Sequence, residues 1–87
     1  MKKVTMFMMA SCPYCVQALR WMDALFAEDA GYKAIEIETI DESVHPDIAK
    51  QYDYYAVPTY YVGGRKLHEG AASPEIIRRV FDAALER

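Results

Sequence analysis

The chain is poor in the features that mark several protein classes. It has two cysteines, two histidines, four glycines, four prolines and one tryptophan in 87 residues. Two cysteines do not make a disulfide scaffold. Zinc needs four ligands, and His45 and His68 are the sole histidines that could join the cysteines; their separation is far from finger spacing. Glycine and proline form no run that reads as a linker, and no segment repeats, so one domain spanning 1–87 is expected. Positive charge is not in surplus: ten Lys and Arg face thirteen Asp and Glu, for a net charge of −3. The basic residues are scattered, with Lys2-Lys3, Arg65-Lys66 and Arg78-Arg79 the sole adjacent pairs, which argues against nucleic acid as a partner. No apolar run is long enough to span a membrane.

What is present is ordinary globular material, 53% hydrophobic and 26% charged, with seven tyrosines. A chain of this size buries roughly 60–65% of the surface its unfolded form exposes, enough for one modest core. The opening "MKKVTMFMMASC" imitates a lipoprotein signal, with two lysines, a short apolar run and Ala-Ser-Cys. Cleavage before Cys12 would delete the best candidate for a central strand. The segment is therefore read as a strand and the protein as cytoplasmic. The acidic stretch 36–42 reads as a solvated strand face and loop.

Residues 3–10 form a continuous apolar run too short for a typical helix, as expected of a strand buried on both faces. From Pro13, which suits a first helical turn, to about Glu28 the spacing is helical, with Cys15, Ala18, Leu19, Met22, Leu25 and Phe26 on one face. Gly31 is the expected cap residue. Residues 33–40 alternate, with Ile35 and Ile37 inward and Glu36 and Glu38 outward. A short helix opens near Pro46. Strands at about 59–62 and 65–68 flank Gly63-Gly64, a hairpin signal. Ser73 and Pro74 start a last helix whose stripe is Ile76, Ile77, Val80, Phe81 and Ala84. The order is β-α-β-α-β-β-α. The expected α/β architecture is a four-stranded mixed sheet flanked by three helices, its first two strands parallel through a right-handed crossover.

Both cysteines fall in "SCPYC", at the junction of the first strand and helix. The spacing admits a metal clip, a redox couple or two inert thiols, and a disulfide closing so small a ring would stabilise little. The placement favours redox chemistry. At a helix N-cap, Cys12 meets the free amides of the first turn and the positive end of the helix dipole. Such surroundings lower a thiol pKa from near ~8.5 to somewhere in ~3.5–7.5. Cys15, one turn on and on the apolar face, should be buried and keep its proton. Cys12 would then attack a disulfide and Cys15 resolve the mixed disulfide.

At these residues the chain resembles the thioredoxin superfamily, and the glutaredoxins most closely. "CPYC" at 12–15 is the usual glutaredoxin active-site sequence, and "AVPT" at 56–59 resembles the family's Val-Pro marker. The resemblance covers essentially the whole chain. It implies a thioredoxin-like fold and a cis Val57-Pro58 peptide whose Val57 backbone pairs with an extended substrate. It also implies substrate contacts at Pro13, Tyr14, Gly70 and Ala71. The resemblance implies a monomeric thiol–disulfide oxidoreductase acting on protein or small-molecule disulfides. No metal and no tightly bound cofactor are expected, with glutathione or a thioredoxin reductase as electron donor.

There are departures from the family pattern. Met9 stands where glutathione-using members carry Lys or Arg, and "EGAAS" at 69–73 lacks the aspartate of their Gly-Gly-x-Asp segment. The helix start at Ser73 is left as a place for a carboxylate. "EGAAS" looks more like the thioredoxin Gly-Ala-x-Ser, yet Pro13-Tyr14 and Met6 break the thioredoxin pattern. Small glutaredoxin-like hydrogen donors served by thioredoxin reductase combine both traits. Dithiol reduction of protein disulfides is therefore placed ahead of glutathione-dependent deglutathionylation. An alternative of another class is an iron–sulfur or metal carrier using the same cysteines. Tyr55 is a candidate groove residue; His45 and His68 read as surface residues, and the methionines as core filling.

Overall fold

The computed structural model describes residues 1–87. Strands β1 (Val4–Met8), β2 (Ile37–Asp41), β3 (Thr59–Val62) and β4 (Arg65–Glu69) form one sheet in the order β2-β1-β3-β4. β1 and β2 are parallel, while β1–β3 and β3–β4 are antiparallel. Helices α1 (Pro13–Glu28), α2 (Pro46–Ala49) and α3 (Pro74–Ala84) complete the expected order.

The alternation of side chains along a strand divides the apolar residues between two cores. Val4, Met6 and Met8 of β1, with Tyr60 and Val62 of β3, face α1 and α3. Phe7, Ile40 and Tyr61 point the other way, onto Ala49 and the α2 turn. This explains why every residue of β1 is buried and why its sequence shows no alternation. On the α2 side Phe7 stacks on Tyr54 at 4.8 Å between ring centres and meets Tyr52 at 4.6 Å. On the other, Phe81 of α3 packs against Phe26 and Tyr32. Val57 alone among the partly buried residues packs against both cores.

α1 presents Cys15, Ala18, Met22 and Leu25 inward, as its spacing requires. Ser73 caps α3 by accepting from the Ile76 N–H at 3.1 Å, a contact worth about 1 kcal/mol in general. Gly63 and Gly64 both take positive φ, the conformation a tight two-residue hairpin demands.

Two expectations are corrected. Gly31 is not the cap of α1, which ends at Glu28 with Asp29 as its C-cap. Gly31 lies inside a 3₁₀ turn, Ala30–Ala34, which Asp29 opens by accepting from the Gly31 N–H at 2.9 Å. That turn consumes the beginning of the alternating segment, so β2 starts at Ile37 rather than 33. The turn is fixed by Tyr32, buried against Phe81 with its hydroxyl donating to Asp82 at 2.7 Å. Ile35 and Ile37 still pack on the α1/α3 side as expected. No helix is long and apolar enough to cross a membrane.

Candidate active site

β1 ends at Met8, and the chain turns through Met9–Ser11 into α1. Two bonds shape this turn. The Cys12 N–H donates to Met9 O at 3.0 Å, and the Ala10 N–H donates to Asp41 Oδ2 at 3.1 Å. Cys12 is the N-cap, with extended backbone (φ −82°, ψ 122°), and Pro13 follows at the first helical position, where it has no N–H to leave unpaired. The Cys12 carbonyl accepts from the Cys15 and Val16 amides, both at 3.0 Å.

Both cysteines are free thiols, Cys12 partly exposed and Cys15 fully buried. Their acidities are pushed apart. The Cys15 amide lowers the Cys12 pKa from the ordinary thiol value, opposed by partial burial and assisted by the Tyr14 amide and the Cys15 thiol. No side-chain cap hydrogen bond forms at Cys12, so these amides act as oriented dipoles rather than as formal donors to sulfur. Burial pushes the Cys15 pKa up to about 11 despite the Met9 N–H, which lies 3.5 Å from its sulfur. Glu42 raises both, so its carboxylate is within electrostatic reach of the pair. The arrangement favours a thiolate at the surface backed by a protonated thiol.

The Val57–Pro58 peptide is cis. Pro58 is fully buried and Val57 half-buried. Neither the Val57 N–H nor its C=O bonds to any other group of the chain. Gly70, at φ +95°, donates its N–H to Pro58 O at 2.8 Å. The structure thus ties Gly70 to the Val57–Pro58 segment, in a conformation that suits glycine. His68 fixes this loop, with Nε2 3.1 Å from Gly70 O and 2.9 Å from Ala71 O. Since both partners are carbonyls, that nitrogen carries a hydrogen. Tyr14 is 63% exposed and Tyr55 97% exposed, which leaves both rings available for contact.

Sequence reasoning missed Glu69. Its Oε2 accepts from the Tyr55 and Ala56 amides at 2.7 and 3.0 Å, and its Oε1 pairs with Lys66 at 2.8 Å. Lys66 first, then the two amides, hold its carboxyl down to about 2. Thr59 donates to Ala56 O at 2.6 Å, and Tyr61 donates to Asp53 O at 2.7 Å. Segment 53–56 is thus held from the hairpin on both sides of the chain. Glu69 lies within "EGAAS", and no local motif signals a partner so far back in the sequence. No three His, Cys, Asp or Glu side chains cluster as a metal site.

A four-stranded mixed sheet with paired thiols opening its first long helix is the plan of a thiol oxidoreductase of the thioredoxin superfamily. The glutaredoxin family model matches residues 4–67, so this chain belongs to the glutaredoxin family. The match takes in both cysteines and Val57–Pro58 and stops short of Gly70 and Ala71. No curated protein sequence matches the chain. Among solved structures it is similar to thioredoxin from Trypanosoma brucei brucei (TM-score 0.75, 18% identity, covering 100% of this chain and 77% of that one). It is similar also to a structure described as a malarial protein (0.74, 18%, 97% of each chain). The oxidised thioredoxin of Plasmodium falciparum superposes with a TM-score of 0.72 at 12% identity, over 94% of this chain and 79% of that one. At such identities the likeness is one of fold.

Proposed function

We propose that this thiol oxidoreductase reduces disulfides in proteins by dithiol exchange between Cys12 and Cys15. The observation that carries the reading is the placement of the two thiols at one helix start, Cys12 partly exposed at the N-cap and Cys15 fully buried within the first turn, which pushes their acidities in opposite directions. Cys12 thiolate attacks a substrate sulfur; a Cys12–substrate disulfide forms, and the other substrate sulfur leaves as thiolate and takes up a proton. Cys15 then loses its proton and attacks Cys12 Sγ. The intramolecular disulfide forms, the second substrate thiol departs, and two electrons have passed to the substrate. All the electrons come from the two sulfurs of one chain, so a monomer suffices and no tightly bound cofactor is needed. A working state with free thiols suits a reducing compartment such as the cytoplasm.

Val57 supplies the platform. Its unpaired N–H and C=O accept an extended substrate backbone as an added strand. Pro13, Tyr14, Gly70 and Ala71 border it. Glu69 is a positioning residue for that platform, because it holds the amides of Tyr55 and Ala56 just ahead of it. Glu69→Ala is expected to raise KM for a peptide disulfide about tenfold while leaving the pH profile of Cys12 alkylation in place. Glu69→Gln, which keeps an acceptor, should recover most of the loss. A KM equal to that of the parent protein in the alanine variant would remove Glu69 from this role.

Regeneration requires a thiol donor. Met9 offers no cation to a glutathione carboxylate, so thioredoxin reductase is expected to sustain faster turnover than glutathione with its reductase. The test is NADPH oxidation with each donor system and one protein disulfide substrate. Turnover supported by the glutathione system alone would reverse the assignment of donor.

A further inference from the structure

An open groove of about 350 Å³ runs between the α2 turn and the loop that precedes Val57. Tyr52, Tyr54 and Tyr55 line it together with Glu42 and Lys50. The groove lies on the α2 face of the sheet and the thiols on the α1/α3 face, and the two approach at the strand ends: the Glu42 N–H donates to Met8 O at 3.0 Å, and the N–H of the next residue, Met9, reaches Cys15 Sγ. The Tyr55 end of the groove is two positions from Val57. Val57 packs against the cores of both faces, and side chains of a strand paired with it alternate in direction, so those directed to the α2 side would fall towards this groove.

Its chemistry is that of a cation subsite. Glu42 accepts the Tyr54 hydroxyl at 2.8 Å through Oε1 and forms no ion pair. Tyr55 is almost wholly exposed. A carboxylate without an ion-pair partner, in one groove with the open ring of Tyr55, suits a guanidinium or ammonium group, through charge and cation–π attraction together. The wider field has the same sign. Asp41, Glu42, Asp47 and Asp53, against Lys50, give segment 41–54 the whole of the chain's −3 charge, and the other acidic and basic residues cancel. An anionic substrate is repelled from this face and a cationic one is drawn to it.

The geometry points to a subsite for a positively charged side chain of the disulfide substrate. An arginine or lysine a few residues from the substrate cysteine settles against Glu42 and Tyr55 while that cysteine meets Cys12. Glu42 is the specificity-determining residue; Lys50 is the opposing charge in the groove lining, and Lys66, bonded to Asp53 O at the Tyr55 end, is neutralised by Glu69. This rests on the reading of the chain as a reductant of protein disulfides.

The test uses three peptides alike except for Arg, Gln or Glu two residues from a cysteine that carries 2-nitro-5-thiobenzoate as a mixed disulfide. Pre-reduced protein is mixed with each in single turnover, so no donor enters, and release of the coloured thiolate is followed. The Arg peptide is expected to react about tenfold faster than the Glu peptide at low salt, with the gap closing as ionic strength rises. Glu42→Gln should shrink the ratio several-fold, leaving the part due to the wider field. Because losing that charge also makes Cys12 more acidic, the ratio rather than any single rate is decisive. Lys50→Gln should widen the ratio, and it decides the matter if Glu42→Gln does not fold. Equal rates for the three peptides, a faster Glu peptide, or a ratio indifferent to both substitutions would overturn the subsite. Failure of all three peptides to react would instead overturn the disulfide-reduction reading, and the subsite with it.

Discussion

Cys12→Ser is expected to lower disulfide reduction by about a thousandfold or more, to the uncatalysed background. A serine hydroxyl at this N-cap does not ionise near neutral pH, and the amides that favour a thiolate cannot make it a nucleophile of comparable strength. The fold should survive, since serine is a preferred N-cap residue and would accept the hydrogen bond that sulfur does not make. The companion measurement is alkylation of the parent protein by iodoacetamide across pH. Cys12 should titrate below an ordinary cysteine, and Cys15 should stay unreactive until pH approaches about 11. The two thiols also act oppositely on stability. The lowered pKa of Cys12 stabilises the reduced fold above the ordinary thiol range, a contribution lost as pH falls through its folded-state pKa. Burial penalises the Cys15 thiolate, so stability is intact below the ordinary thiol range and is lost as pH climbs towards about 11. Retained reduction by Cys12→Ser, or a Cys12 that titrates no lower than an unfolded-chain cysteine, would remove the proposed mechanism.

Cys15→Ser should trap the reaction halfway. The attacking sulfur is untouched, and a serine hydroxyl can replace the Cys15 thiol among the groups that stabilise the Cys12 thiolate. At position 15 the hydroxyl enters a fully buried site, where the Met9 N–H is at hand as a partner. Attack then proceeds and resolution does not. Intact-mass spectrometry should show the protein heavier by one substrate thiol less two hydrogens, and a reducing agent should remove the increment. Multiple turnover in a dithiol-dependent assay should fall about a hundredfold. A variant that turns over at the parent rate with no adduct would transfer the resolving role to another thiol.

The legible parts of the chain were those whose cause is local. β1 is a run of apolar residues because both its faces are covered, the hairpin has two glycines because both turn positions need positive φ, and Ser73-Pro74 is a helix start in either sequence or structure. The thiol pair was legible for the same reason: N-cap, first-turn proline and inward-facing Cys15 follow from spacing. What escaped depends on distant partners. The 3₁₀ turn that displaces β2 is secured by Tyr32 reaching Asp82, 50 residues on. Glu69 reaches back 13 and 14 residues to Ala56 and Tyr55, across a hairpin whose register shifts between Tyr60 and Tyr61. His68 reads as a surface residue in sequence, yet its ring ties down the Gly70–Ala71 loop. None of these contacts has a signature in the residues that flank it.

Val57 rests on the cores of both faces of the sheet at once. A backbone held from two directions has little freedom left to surrender. If a substrate chain docks there as proposed, the ordering entropy, about 1–2 kcal/mol for each residue fixed, would fall on the incoming chain and hardly at all on the protein. Such preorganisation would let a few main-chain hydrogen bonds capture many unrelated sequences, with discrimination among them left to the side chains alongside.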